Sequence, residues 1–407
     1  MNIRWLHRFA LLTALATLSL IGLGGLVTSH GVGMAVPDWP NTYGYNMFLF
    51  PISQWLGGVF YEHTHRLLAS LVGLLTTVLA LWLWARETRG PVRWAGMGAM
   101  FFVLVLMGVR QMPVYLTLAS LAPVAIGGSF YQLRQQPRSL RWWGVIAFAA
   151  VILQGVLGGL RVVWYKDQIG VFHAALAQLF FVLTCAVALF TSHGWQEWLR
   201  NGPASVSGFR LPPPAFALRR LLLVTTLLIL GQLILGATMR HQHAGLAISD
   251  FPLAYGKLWP AMDPDSVARY NQQRVEVMAA NPITAFQIAL QMVHRLVALL
   301  ILLGVSGCAW LARRRLGATH PLSALTLGWL GLIGIQVLLG AATIWSNKAA
   351  DVATAHVLAG ALSLAAGAIL SILVFRDLVF AGGRVPAAEV WPHAPYGPRP
   401  WTATQME

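Results

Sequence analysis

Charge is the scarcest ingredient of this sequence. Only 10% of its 407 residues are Asp, Glu, Lys or Arg, while 57% are hydrophobic; soluble domains carry about 25% charged residues. A chain this long with so little charge must hide most of its surface from water, which excludes a soluble globular protein. Disorder is excluded as well, because it needs low hydrophobicity and high charge. Cysteine is nearly absent: Cys185 and Cys308 each lie inside an apolar run, where a thiol behaves as a small buried hydrophobe. A disulfide scaffold and a cysteine metal site are therefore not expected. Acids are fewer than bases, 13 against 28, for a net charge of +15. The bases do not gather on one water-facing stretch but fall in short gaps between apolar runs, so they report membrane orientation and not nucleic-acid binding.

What is present in abundance is apolar sequence in lengths that cross about 30 Å of hydrocarbon. Such runs fall near 9–27, 62–85, 142–162, 169–192, 219–239, 285–311, 322–345 and 353–377, with a less regular pair at 94–110 and 113–132 split by Arg110, Gln111 and Pro113. The first run follows Arg4 and Arg8 as a signal peptide would, yet it is long enough to span and lacks an evident small-residue cleavage site, so it is expected to be a retained helix. The chain is expected to be an all-α integral membrane protein of about ten transmembrane helices, with eight plus a re-entrant pair as the alternative count.

Lys and Arg favour the cytoplasmic side. The gaps holding Arg86/Arg89/Arg93, Arg134/Arg138/Arg141, Arg200/Arg210/Arg219/Arg220 and Arg313/Arg314/Arg315 are expected to be cytoplasmic, whereas Thr28 to His65 contains no Lys or Arg. Both termini then lie inside, and the long loops at about 28–60 and 240–284 lie outside. The proline-rich stretch 381–407 is expected to be a disordered tail.

An internal repeat organises the chain. The stretch from Gly24 to Asp38-Trp39-Pro40 reappears 212 residues later from Gly236 to Asp250-Phe251-Pro252, and both copies continue into Tyr-Gly, Tyr43-Gly44 and Tyr255-Gly256. Likewise His65-Arg66-Leu67 matches His294-Arg295-Leu296, Gln154 and Gly158 match Gln336 and Gly340, and His173 matches His356. Each half is thus one copy of a four-helix unit, and the pair at 94–132 is an insertion in the first. The expected layout is two pseudosymmetric four-helix bundles: an N-terminal bundle over 1–192 that includes the insertion, a cytoplasmic linker over 193–218, and a C-terminal bundle over 219–380.

The repeat places His65, His173, His294 and His356 at equivalent positions, two per half, near the outer ends of their helices. Ionisable residues inside a membrane are costly and usually functional, and two helical imidazoles facing each other across a bundle can clamp a haem iron from both sides. A lone membrane histidine is as readily a packing residue; four at equivalent places argue for ligands. A closed bis-imidazole iron favours electron transfer over oxygen activation, which moves any chemistry to the porphyrin edge. The halves differ at one point: Glu62 lies three residues before His65, on the same helix face, whereas Gln291 precedes His294. A carboxylate can exchange protons, which assigns chemistry to the first half and an electron-transfer cofactor to the second; the alternative is that Glu62 merely pairs with Arg66 or reaches interface water. Arg66 and Arg295 suit haem propionates or helix-end carbonyls equally. The glycines around Gln154 and Gln336 suit close packing of helices or of a flat macrocycle. The Asp-aromatic-Pro motifs suit a lid or an interface anchor, and His30, His63, His241 and His243 are read as interface residues.

Taken in order, Gly24-Gly25-Leu26-Val27-Thr28 into Pro37-Asp38-Trp39-Pro40, Glu62-x-x-His65-Arg66, Gln154-Gly155-x-Leu157-Gly158-Gly159 and His173-x-x-Leu176-Ala177-Gln178 resemble the haem A synthase family of cytochrome oxidase assembly. The resemblance covers roughly 24–377 apart from the insertion. It implies haem b in the C-terminal half, ligated by His294 and His356. It implies haem O as substrate in the N-terminal half, bound by His65 and His173 with Glu62 as catalytic acid. The implied reaction is oxidation of the C8 methyl of haem O to a formyl group in two steps, with electrons leaving through haem b, in a bacterial-type inner membrane. Implied partners are haem O synthase, other cytochrome oxidase assembly factors and membrane lipid, with homo-oligomerisation left open and nucleic acid excluded. The sequence departs from the family pattern twice. Many members carry a cysteine pair in the first outer loop, where this chain has Val36 before Pro37 and no cysteine, and the pair at 94–132 lies outside the eight-helix pattern.

Two other functions compete: a dihaem b-type membrane cytochrome for quinol-linked electron transfer, and a haem exporter or chaperone. The Glu62/Gln291 asymmetry favours the enzyme, because an electron relay has no need of it.

Overall fold

The computed structural model describes residues 3–201, 216–273 and 282–381; the proline-rich tail and most of the expected linker lie outside them. Twelve α-helices are described: α1 Ile3–Ser29, α2 Gly57–Glu87, α3 Gly90–Met107, α4 Met112–Gln135, α5 Leu140–Trp164, α6 Asp167–Thr191, α7 His193–Asn201, α8 Phe216–His241, α9 Pro264–Gln272, α10 Ala285–Leu316, α11 Pro321–Trp345 and α12 Ala350–Ala381. All but α7 and α9 are long and apolar enough to span, which makes ten membrane helices. The protein is an all-α, multi-pass membrane protein.

Local chemistry sets the helix ends. Thr284 and Gln287 form a capping box that starts α10, satisfying backbone donors that lipid cannot. Arg313, Arg314 and Arg315 close the same helix, where basic side chains complement the helix dipole. Within the spans, buried hydroxyls bond back one turn: Thr17 to the Thr13 carbonyl at 2.8 Å and Thr76 to the Val72 carbonyl at 2.8 Å. These polar side chains therefore cost little in an apolar setting.

Helices α1, α2, α5 and α6 pack as one ring of four, and α8, α10, α11 and α12 as another. The rings meet through α1 on α12 and through α6 on α8. Under the repeat, α1 corresponds to α8 and α6 to α12, so these two contacts are one contact made twice, as in a two-fold symmetric dimer. The approach is close at Gly25, where an added Cβ would sit 2.9 Å from the Thr354 methyl. The interior of the second ring is centred on Leu222, Val305 and Trp329, whose indole donates to the Ser363 carbonyl at 2.9 Å.

The inserted helices α3 and α4 lie outside the first ring, α4 along α5 and α3 along α2. Helix α3 buries only Met100 and leaves Trp94, Phe101 and Phe102 exposed, as a lipid-facing helix does. The stretch read as a linker begins with α7, whose Trp195 and Trp198 are buried with Leu6 and Leu79.

Candidate functional site

The four repeat-related histidines occupy four equivalent niches. His65 on α2 lies against Gly24 of α1, and His173 on α6 against Gly158 of α5; an added Cβ would stand 3.1 Å from the imidazole Cε1 in both. In the second ring His294 on α10 lies against Gly236 of α8 at 3.4 Å, and His356 on α12 against Gly340 of α11 at 3.1 Å. The motif glycines thus make room for imidazoles, a use the sequence reading had not separated from helix packing. His65 and His173 lie within electrostatic reach of each other, as do His294 and His356.

Gln154 donates to the His173 carbonyl at 2.9 Å and Gln232 to the His294 carbonyl at 2.8 Å, while His356 Nδ1 meets the Gln336 carbonyl at 3.1 Å. Buried Nδ1 atoms of His65, His173 and His294 have no hydrogen-bond partner among the described residues, and no Nε2 of the four makes a described hydrogen bond. Polar atoms left unpaired in an apolar interior are expensive, so each pair of rings is suited to a partner that the chain does not supply. No group of three His, Cys, Asp or Glu side chains is placed to hold a bare metal ion among the described residues. Two imidazoles per half fit an iron whose remaining ligands come from a macrocycle, which is the haem donor set.

Above the histidines sits a loop, built twice to one plan. Asn41–Thr42 pairs with Tyr45–Asn46 across a tight turn in which Tyr43 and Gly44 have φ of 49° and 78°. The second copy turns at Tyr255 and Gly256 with φ of 53° and 73°. Two successive positive φ values define the hairpin turn that favours Gly, which explains the repeated Tyr-Gly. The Asp38 carboxylate accepts the Tyr43 and Gly44 amides at 2.7 Å each, and Asp250 accepts the Tyr255 and Gly256 amides at 2.7 and 2.9 Å. The Tyr43 hydroxyl donates to the Ala35 carbonyl and that of Tyr255 to the Ala247 carbonyl. The motif is a self-supporting loop closed by its own aspartate.

Each loop is bolted to the histidine helix below it. Arg66 Nη1 donates to the Asp38 and Asn41 carbonyls at 2.6 and 2.8 Å; Arg295 donates to the equivalent Asp250 and Leu253 carbonyls at 2.7 and 2.8 Å. The two arginines thus meet loop carbonyls. Glu62, 4% exposed, pairs with Arg66 at 2.8 Å and accepts the Val36 amide through Oε2 at 2.9 Å. Gln291 accepts the equivalent Ile248 amide at 2.6 Å and returns its NH2 to the Ile248 carbonyl at 3.2 Å.

Other residues depart from the sequence reading. His63 is fully buried and not interfacial: its Nδ1 meets Thr42 Oγ1 at 3.1 Å, and its ring sits between Phe50 and Trp55. His30 stacks on Tyr61. His241 reaches across to the first ring, where its Nδ1 lies 3.7 Å from Asp167 and its ring lies on Gly170. Arg161, near the loop end of α5, was not among the candidates. It has no repeat mate and Lys166 follows it at the same end of the span, so the sequence carries no signal that singles it out.

The family model of the cytochrome oxidase assembly protein matches residues 7–368. A heme A synthase of Shouchella clausii (strain KSM-K16) is 24% identical over 264 residues, which is 64% of this chain and 68% of that protein. The match runs through both loops and all four histidine niches, and this chain belongs to the cytochrome oxidase assembly protein family.

Proposed function

We propose that the protein is a haem A synthase, an oxidoreductase that converts the C8 methyl of haem O to a formyl group in two oxidations. His65 and His173 would hold the substrate iron, and His294 and His356 would hold a resident haem b. When bound, haem b supplies a one-electron relay. The observation that carries this reading is the pair of equivalent imidazole niches, one with a carboxylate, Glu62, where the other has an amide, Gln291. Glu62 is assigned as the acid that exchanges protons with the reacting edge, and Arg66 fixes its position through the 2.8 Å pair. The glycine-backed rings orient the macrocycle, and the two loops shield it from water. Haem O synthase and other assembly factors are the proposed suppliers and receivers.

The proposed location is an inner membrane of bacterial type; the distribution of arginine supports an orientation with both termini cytoplasmic and the histidine niches toward the outer face. The first loop has no cysteine, so the proposed route uses no thiol there.

A dihaem b-type cytochrome is the second reading, and one observation favours it. Glu62 and Gln291 make the same contact to their loops, which gives the carboxylate a mechanical task that requires no chemistry. Haem analysis of membranes from a host that makes haem O but no haem A separates the two. Haem A or its hydroxylated intermediate, present with the wild-type chain and lost with Glu62→Gln, is the expected result. Purified protein holding haem B alone, with neither product, supports the cytochrome instead.

A further inference from the structure

Among the described residues, Arg161 carries the one guanidinium of the first niche that is not committed to the loop. It lies at the loop end of α5 with Nη1 2.9 Å and Nη2 3.1 Å from where a Gly33 Cβ would stand, so it rests on the bare backbone of the first loop. It lies within electrostatic reach of His65 and His173, of Glu62 and of Asp167. No hydrogen bond or ion pair is formed by its guanidinium among the described residues. Glu62 is already taken by Arg66, and Asp167 is turned toward His241 at 3.7 Å.

Among the described residues, the second half offers no such group. Thr343 stands at the position equivalent to Arg161 and donates its hydroxyl to the Leu339 carbonyl at 2.8 Å. The cation that faces His356 is Arg240, and it donates across the halves to the Gly25 carbonyl at 2.8 Å and to the Ser29 hydroxyl. A half-buried guanidinium without a partner, at the rim of an imidazole niche, suits a planar carboxylate that arrives with the ligand.

We propose that Arg161 is the carboxylate-binding residue of the first niche, clamping a propionate of the tetrapyrrole beneath Gly33. The proposal rests on the reading of His65 and His173 as haem ligands. It sets the ring with its carboxylate edge toward the loop, and it gives the substrate niche an anchor that the cofactor niche does not share.

The test uses the purified protein with its resident haem in neutral detergent, titrated with iron protoporphyrin and, separately, with its dimethyl ester; the added Soret change reports binding. The wild type is expected to prefer the diacid, and Arg161→Gln to lose about tenfold in diacid affinity with ester affinity unchanged. Arg161→Lys is expected to keep part of the preference. An undiminished diacid preference in Arg161→Gln, or equal loss of both probes, overturns the role of Arg161, including the case in which the residue serves an anionic lipid. An unchanged resident Soret band verifies folding; if Arg161→Gln alters it, the diacid preference of Arg161→Lys decides, and its complete loss overturns the proposal. Failure of both porphyrins to bind the wild type, or binding undisturbed by His65→Ala, instead overturns the histidine reading and the proposal with it.

Discussion

Glu62 and Gln291 hold the same backbone amide in the two halves of the molecule: Glu62 Oε2 accepts Val36 N–H at 2.9 Å, and Gln291 Oε1 accepts Ile248 N–H at 2.6 Å. The second half therefore shows what the first would be with glutamine at position 62. Glu62→Gln is expected to keep the loop, with its Oε1 serving Val36 and Arg66 still held by the Asp38 and Asn41 carbonyls, and to lose the acid and its ion pair. Glu62→Ala is expected to leave the Val36 amide without a partner and to strip Arg66 of its carboxylate, at a cost of about 1–3 kcal/mol. Thermal unfolding read beside haem A formation separates the tasks: Gln should match wild-type stability and make no product, and Ala should lose both. Product formed at the wild-type level by Glu62→Gln would remove Glu62 from the chemistry.

The glycine behind each imidazole gives a second, steric test of ligation. A Cβ at Gly340 stands 3.1 Å from His356 Cε1, a spacing that a ring must yield by a few tenths of an ångström to accept. Gly340→Ala is expected to perturb the low-spin b-type absorption of the purified protein, and Gly340→Val to abolish it, as His294→Ala and His356→Ala each should. A normal spectrum in both histidine variants overturns the assignment of haem b to the second half.

Much of this was legible in the sequence because lipid enforces simple rules. Ten spans follow from apolar length, and the repeat follows from two loops that share one hydrogen-bond plan, since Asp38 and Asp250 each close a Tyr-Gly turn. The histidine pairs were legible because equivalent helices place them equivalently. The loop function of Arg66 and the burial of His63 were not. Both depend on where a 27-residue connection between α1 and α2 folds back, and periodicity carries no information about that. Arg161 escaped notice because it has no repeat mate; its importance lies in lacking a partner, which only coordinates reveal.

Arg240 ties the halves together. Its Nη2 donates to the Gly25 carbonyl at 2.8 Å and to the Ser29 hydroxyl, on the α1 face that packs against α12. Because Arg240→Ala removes charge-assisted bonds at a part-buried site, it is expected to destabilise by about 2 kcal/mol. Arg240→Lys is expected to recover less than half, because one ammonium does not reproduce the planar fork. Thermal unfolding in detergent reads both; wild-type stability in Arg240→Ala would mean that the α1–α12 and α6–α8 packing holds the halves unaided.

The inserted helices act on the first loop, and this predicts an effect confined to one half. The Trp39 ring occupies the space over Gly159, where a Cβ would fall 2.2 Å from it, and its centroid is 4.6 Å from that of Tyr115 on α4, a residue only 2% exposed. Arg110, in the α3–α4 turn, donates to Asn41 Oδ1 at 3.0 Å. In the second half the equivalent Phe251 meets Trp345 of its own ring, at 6.1 Å, so that loop needs no outside support. Tyr115→Ala removes a buried aromatic from beneath the first loop, at a cost of about 3 kcal/mol; Arg110→Ala breaks an exposed bond and should cost under about 1 kcal/mol. Amide exchange is expected to quicken across 36–46 in Tyr115→Ala, while 248–258 and the resident haem spectrum stay unchanged. Uniform quickening over both loops would mean that α3 and α4 brace the whole bundle, and unchanged exchange at 36–46 would mean that the first loop stands on Asp38 and Arg66 alone.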